Sequence, residues 1–168
     1  IEIQPTLHCP IVVDSCLTGA GGHYGNKWYM TPFPPFILRE DHSISDLEML
    51  NIVVAVRMFA PNIQGHVVHI KCDNEAAVSV LNTGRGRSPF LLACARAIWH
   101  YTAQYRIHIV CSHISGQDND LADKLSRCHM SQDRKNEICE MVKDSGAHLL
   151  PVDPAWFKLP LNYNASNA

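Results

Sequence analysis

Hydrophobic and polar positions alternate in two rhythms along this chain. The first is short: an apolar run at 9–16 centred on Ile11-Val12-Val13 and bounded by Pro5 and Gly19, then a stretch at 20–31 rich in glycine and aromatic residues. Apolar runs of this length between turn residues predict strands, so the chain opens as three antiparallel strands joined in hairpins. Pro32, Pro34 and Pro35 predict no regular element next. The rhythm then becomes helical over 44–59, and Ser43 followed three residues later by Asp46 resembles a capping box at its start. Gly65 stops that helix, 67–72 reads as a buried strand, and 75–81 as a short helix closed by Gly84. Ser88 and Pro89 form an N-cap and first-turn pair for a helix reaching about Gln104. A fifth strand follows at 106–112, and a helix beginning near Asp118 carries Asp123. Hairpins first and β-α units afterwards predict an α/β domain with a mixed sheet.

A last helix is expected over 131–145, capped by Ser131 and stopped by Gly146, before an irregular Pro-rich tail with Trp156 and Phe157. This divides the chain into a domain at 1–128 and an extension at 129–168. The tail has two possible places, on the domain itself or on a neighbouring domain of a parent polypeptide.

Composition narrows the picture. With 168 residues, 46% apolar and 18% charged, the chain is long and apolar enough for one buried core. It begins at Ile1 without a basic head and apolar run, which reads as a piece of a longer polypeptide with no signal peptide. Its apolar stretches fall far short of the roughly 20 residues a membrane span needs, so no membrane partner is expected. The seven cysteines are odd in number and lack a C-x-x-C pair, and Cys16, Cys72 and Cys111 sit in strand-like runs. They read as free buried thiols in a reducing, cytoplasmic or nuclear setting rather than as disulfides or a zinc site. The ten histidines show no H-E-x-x-H spacing. With 14 basic and 16 acidic residues the chain does not advertise nucleic-acid binding, so any such function must come from a local site.

Four acids stand in costly or suggestive places. Asp14 interrupts the apolar core run, where an ionised carboxylate wants a cation, although a strand-end Asp can also take backbone hydrogen bonds. Glu48 lies on a helix that is apolar nearly all round; it is either a solvated gap in the stripe or aimed where Asp14 points. Asp73 ends a strand, the place where α/β sheets collect ligands, yet Asp73-Asn74 also suits a helix N-cap. Asp123 beside Leu121, Ala122 and Leu125 is equally an ordinary helix-surface acid. If the four converge, their mutual repulsion calls for divalent cations, and hard oxygen ligands select Mg²⁺ or Mn²⁺. Two such ions can clamp the oxygens of a phosphoryl displacement. Spacing alone does not bring the four together.

Longer strings carry a resemblance. Val13-Asp14-Ser15-Cys16-Leu17-Thr18-Gly19-Ala20-Gly21-Gly22, Ile44-Ser45-Asp46-Leu47-Glu48-Met49-Leu50 and Cys72-Asp73-Asn74-Glu75-Ala76-Ala77-Val78 resemble successive motifs of one family. His113-Ile114-Ser115-Gly116, Asn119 and Ala122-Asp123-Lys124-Leu125-Ser126-Arg127 are similar to its H-I-P-G-x-x-N-x-x-A-D-x-L-S-R ending. The family is the ribonuclease H domain of retroelement reverse transcriptases, most closely that of DIRS-like tyrosine-recombinase retrotransposons, and the resemblance covers about 9–128.

The resemblance implies a ribonuclease H-like fold with a five-stranded mixed sheet ordered 3-2-1-4-5 and flanking helices. It implies Asp14, Glu48, Asp73 and Asp123 as catalytic ligands of two Mg²⁺ ions, which Mn²⁺ can replace, and His113 as a residue of turnover and product departure. The activity implied is endonucleolytic hydrolysis of the RNA strand of an RNA/DNA hybrid, leaving a 3′-hydroxyl and a 5′-phosphate. The setting implied is reverse transcription, with a polymerase domain in the same polyprotein. The short link at 82–88 lacks the basic helical handle of many cellular relatives; Arg85 and Arg87 there are candidates for phosphate contacts or plain solvated charges. Asn74, Ser88 and Asn119 join them as candidate substrate contacts. Ser115 stands where the family has Pro, Cys72 where it has Thr, and Asp46 and Asn51 where apolar residues are common. A fold of this kind kept as a non-cutting binding module, or another nuclease of the same superfold, are the competing readings; the full acid set argues against the first and the A-D-x-L-S-R ending against the second.

Overall fold

The computed structural model describes residues 6, 7 and 9–160; the chain start at Ile1, the Pro5 boundary and the end of the tail lie outside the described residues. In chain order the elements are β1 (Ile11–Ser15), β2 (Gly19–Tyr24), β3 (Lys27–Pro32), α1 (Pro35–Leu38), α2 (Ile44–Phe59), β4 (Val67–Cys72), α3 (Glu75–Thr83), α4 (Pro89–Gln104), β5 (His108–His113), α5 (Asp120–Arg127), α6 (Gln132–Ser145) and β6 (His148–Leu149).

The apolar run of β1 is buried along its whole length because it stands in the middle of the sheet with helices over both faces. β2 pairs with it antiparallel, and β3 returns along β2 through a turn in which Gly25 takes φ +59°, a conformation open to glycine at little cost. β4 lies parallel to β1 on its other side, and β5 lies parallel to β4. The result is an α/β fold with a mixed sheet and flanking helices.

The sheet has six strands rather than five, in the order β5-β4-β1-β2-β3-β6. The added strand comes from the segment expected to be irregular: His148 N donates to Asn26 O at 2.7 Å and Leu150 N to Trp28 O at 2.8 Å, which seats the tail on the free edge of β3. The tail then forms a 3-10 turn at Pro154–Phe157 and buries Phe157 edge-on against Phe33, ring centroids 5.7 Å apart. Its place is on the domain.

Three other expectations change. Pro35 does not exclude a helix; it opens α1 from the first helical position, where its missing N–H has no partner to lose. The fifth strand begins at His108 and runs through His113, because Arg106 takes φ +53° and cannot continue an extended strand. The helix carrying Asp123 starts at Asp120, after a separate 3-10 turn at Gly116–Asp118. The caps read from sequence are present: Ser43 and Asp46 bond reciprocally, Ser88 accepts from Leu91 N, and Ser131 accepts from Arg134 N.

Alternation along the strands splits the core. Tyr29 faces the larger core, shared by Ile11, Val13, Ile70 and helices α2, α3 and α4, whereas its neighbour Trp28 faces a smaller one with Leu125 and Ile138 of α5 and α6. β1, β4 and β5 run in the same direction, so their carboxyl ends open along one edge, between the helix layers.

Candidate functional site

Asp14 is the fourth residue of β1 and is only 4% exposed, while Glu48, in the second turn of α2, is 2% exposed. Glu48 is therefore no solvated gap: its Oε1 accepts from Ser15 N at 3.0 Å and its Oε2 from the Cys72 thiol at 3.6 Å. Asp73 follows the last residue of β4, and Asp123 sits in the first turn of α5. All four acids line one cleft of about 820 Å³ at the carboxyl edge of the sheet, with Asn74, Arg127 and the β1–β2 turn.

Electrostatics record their closeness. Burial, and after it the charges of Asp73 and Asp123, raise the Asp14 carboxyl, against a lowering hydrogen bond with Glu48. Burial also raises Glu48, joined by the charge of Asp14 and a hydrogen bond to it, while Ser15 N pulls the other way. Two buried acids whose charged forms are disfavoured by burial and by neighbouring carboxylates, Asp73 and Asp123 at Asp14 and Asp14 at Glu48, have the property expected of ligands awaiting a cation. The guanidinium in the cleft does not fill that need, because Arg127 Nε is committed to Asp123 Oδ1 at 2.9 Å.

Cys72 adds sulfur at the back of the site; Glu48, Cys72 and Asp73 each offer a ligand atom within 4.8 Å of the others. Burial first, then the charge of Glu48, pushes this thiol far above its ordinary range, so it is a protonated donor to Glu48. The donor set that remains is carboxylate oxygen, which suits hard divalent ions of the Mg²⁺ or Mn²⁺ type.

The other candidate residues divide. His113 ends β5 beside Cys72, and its Nε2 lies 3.1 Å from the Asp73 carbonyl. A carbonyl only accepts, so Nε2 carries the proton and Nδ1 is the basic atom of the neutral ring. Asn74 caps α3 by accepting from Ala77 N and ties α2 through Ser45 Oγ at 3.1 Å, at the rim of the cleft. Ser88 is the cap of α4. Arg85 and Arg87 are exposed on the α3–α4 link and do not line the cleft. Asn119 is buried, with Nδ2 3.5 Å from Val13 O and a buried Oδ1 that has no partner among the described residues. It lies beneath the site, not on its surface.

Two residues singled out only in passing by sequence hold the site together. Asn51, fully buried on α2, donates from Nδ2 to Asp14 O at 2.8 Å and Gly21 O at 3.0 Å, while its Oδ1 accepts from Tyr29 OH at 2.7 Å. An amide on a helix that is apolar nearly all round is the signal that marks it. Arg127, four residues after Asp123 on α5, has the spacing of a helical ion pair.

The chain matches no family model and no curated protein sequence.

Proposed function

We propose that this chain is a metal-dependent ribonuclease H that cuts the RNA strand of RNA/DNA hybrids, from the reverse transcriptase of a retroelement and most like those of DIRS-like elements. The observation that carries the reading is the meeting of Asp14, Glu48, Asp73 and Asp123, from four separate parts of the chain, in one cleft. The sheet has six strands, not the five expected of a ribonuclease H-like fold; what supports the reading is the run β3-β2-β1-β4-β5 within it.

Asp14, Glu48, Asp73 and Asp123 would hold two Mg²⁺ ions. Bound there, the ions supply charge neutralisation at the attacked phosphate and a water of lowered pKa. Asn51 holds the backbone of Asp14, Ser15 N holds the Glu48 carboxylate, and Arg127 aims Asp123, which fixes three of the four acids. Nδ1 of His113 can hold and release a proton as product leaves, its ring steadied through Nε2 on Asp73 O. Hybrid duplex is favoured over DNA by shape and by 2′-hydroxyls along one strand.

All seven cysteines are free, in keeping with a reducing intracellular setting, and no helix among the described residues is long and apolar enough to cross a membrane. A polymerase domain in the same polyprotein would deliver the hybrid. Incubating the chain with RNA/DNA hybrid, RNA duplex, DNA duplex and single strands, with Mg²⁺, Mn²⁺ or EDTA, tests the assignment. Cleavage of the hybrid's RNA alone, abolished by EDTA, is expected; an inert chain would mark a non-cutting binding module, and cleavage of DNA duplex a different nuclease.

A further inference from the structure

The acid cleft is edged by large apolar side chains that the core leaves outside. Leu17 is 66% exposed, Met130 48% and Ile44 39%, and all line the same cleft as the four carboxylates. They arrive separately, from the β1–β2 turn, the 3-10 turn at Cys128–Met130 after α5, and the first residue of α2. The other exposed large hydrophobics among the described residues, Leu38, Trp99, Val110 and Leu149, do not line this cleft. Scattered exposed hydrophobics are ordinary, but a set converging on a charged cleft points to a ligand with a charged centre and apolar flanks.

We propose that Leu17, Ile44 and Met130 form an apolar collar that packs on the sugar faces of the nucleotides either side of the attacked phosphate. This rests on the hybrid-nuclease reading of the same site. A duplex with 2′-hydroxyls presents a wide, shallow minor groove in which ribose C–H faces and base edges are accessible. The usual source of grip, Lys and Arg on phosphates, is scarce here: the chain carries a net charge of −2, and Arg127 is already paired with Asp123. Burial of apolar surface supplies attraction that salt does not screen, and it does so without placing cations beside the metal ligands.

The test is an anisotropy titration of a fluorescent RNA/DNA hybrid by the intact chain, with Ca²⁺ as the divalent ion to slow cutting, over a series of KCl concentrations. Leu17→Ser and Met130→Ser are compared with wild type, alone and together, with Leu17→Met as the apolar control. The double variant should bind roughly tenfold more weakly at every salt concentration, the size expected from losing two modest apolar contacts. The slope of log affinity against log salt should stay unchanged, because no phosphate contact is lost. Both side chains are exposed, so the melting temperature should hold. Equal affinity of the double variant and wild type, in a chain that does cut hybrid, would overturn the collar alone. A flattened slope would overturn it too, by showing an ionic contact, as would serine variants that dissolve a dimer in sedimentation. Failure of wild type to bind or cut hybrid would instead sink the nuclease reading on which the collar rests.

Discussion

Asp14 and Glu48 are where the chain accepts a cost. In the metal-free protein burial raises both carboxyls, Asp14 to about 7 and Glu48 to about 10, against about 4 for such groups in an unfolded chain. The folded form therefore holds protons that the unfolded form has released, and their contribution to stability falls as pH rises from about 4 toward the folded values. Melts of metal-free wild type should decline relative to Glu48→Gln across that window, and Mg²⁺ should recover most stability at its upper end; a wild type that gains on Glu48→Gln as pH rises would contradict the site. Asn51 offers a second test. Replacing it by Leu leaves the Tyr29 hydroxyl and two carbonyls without their partner, costing about 1–3 kcal/mol. Because one of those carbonyls belongs to Asp14, Mn²⁺ affinity should weaken several-fold as well. Lost stability with undiminished Mn²⁺ binding would reduce Asn51 to a core residue. His113→Ala should keep fold and metal dependence and slow multiple turnover more than single turnover, since its ring touches Asp73 only through the backbone. Equal slowing of both phases would place it in chemistry, and no slowing would leave it without a role.

Elements bring these residues together through close approach. Gly21 on β2 faces α5 so tightly that an added Cβ would lie 2.6 Å from the carbonyl carbon of Leu125, two residues past Asp123. Gly21→Ala should push α5 off the sheet, destabilise the fold by about 1–3 kcal/mol, and reduce Mn²⁺ binding by displacing Asp123. Retained Mn²⁺ affinity would show that α5 can shift without moving its acid. Sequence foretold most elements because their ends are chemical: Ser43, Ser88 and Ser131 as caps, Gly84 and Gly146 as left-handed stops. It missed those defined by distant partners. β6 is two residues that become a strand only because β3 offers an open edge, and α1 survives its prolines because one occupies a position that needs no N–H. The cleft itself was legible as four suspicious acids, but their meeting depends on parallel strands aligning their carboxyl ends, which spacing cannot report.

At the scale of the whole molecule, a chain of net charge −2 gathers four acids where the ends of β1 and β4 meet α2 and α5. Under the function proposed above, divalent ions would complete the charge balance of that cluster and would address a nucleic-acid phosphate. Residues 129–160 are joined to this body by β6 and Phe157, so the intact chain is the right unit to assay. The most direct measurement is end analysis of products from a labelled RNA/DNA hybrid, incubated under single-turnover conditions with wild type or Asp73→Asn. With Mg²⁺, wild type should release RNA fragments bearing 5′-phosphate and 3′-hydroxyl ends while leaving DNA whole. Asp73→Asn should remain folded and be slower by several orders of magnitude, because an amide is a weaker ligand and a charge is lost. A variant that cuts as fast as wild type, or cleavage that persists in EDTA, would contradict the account.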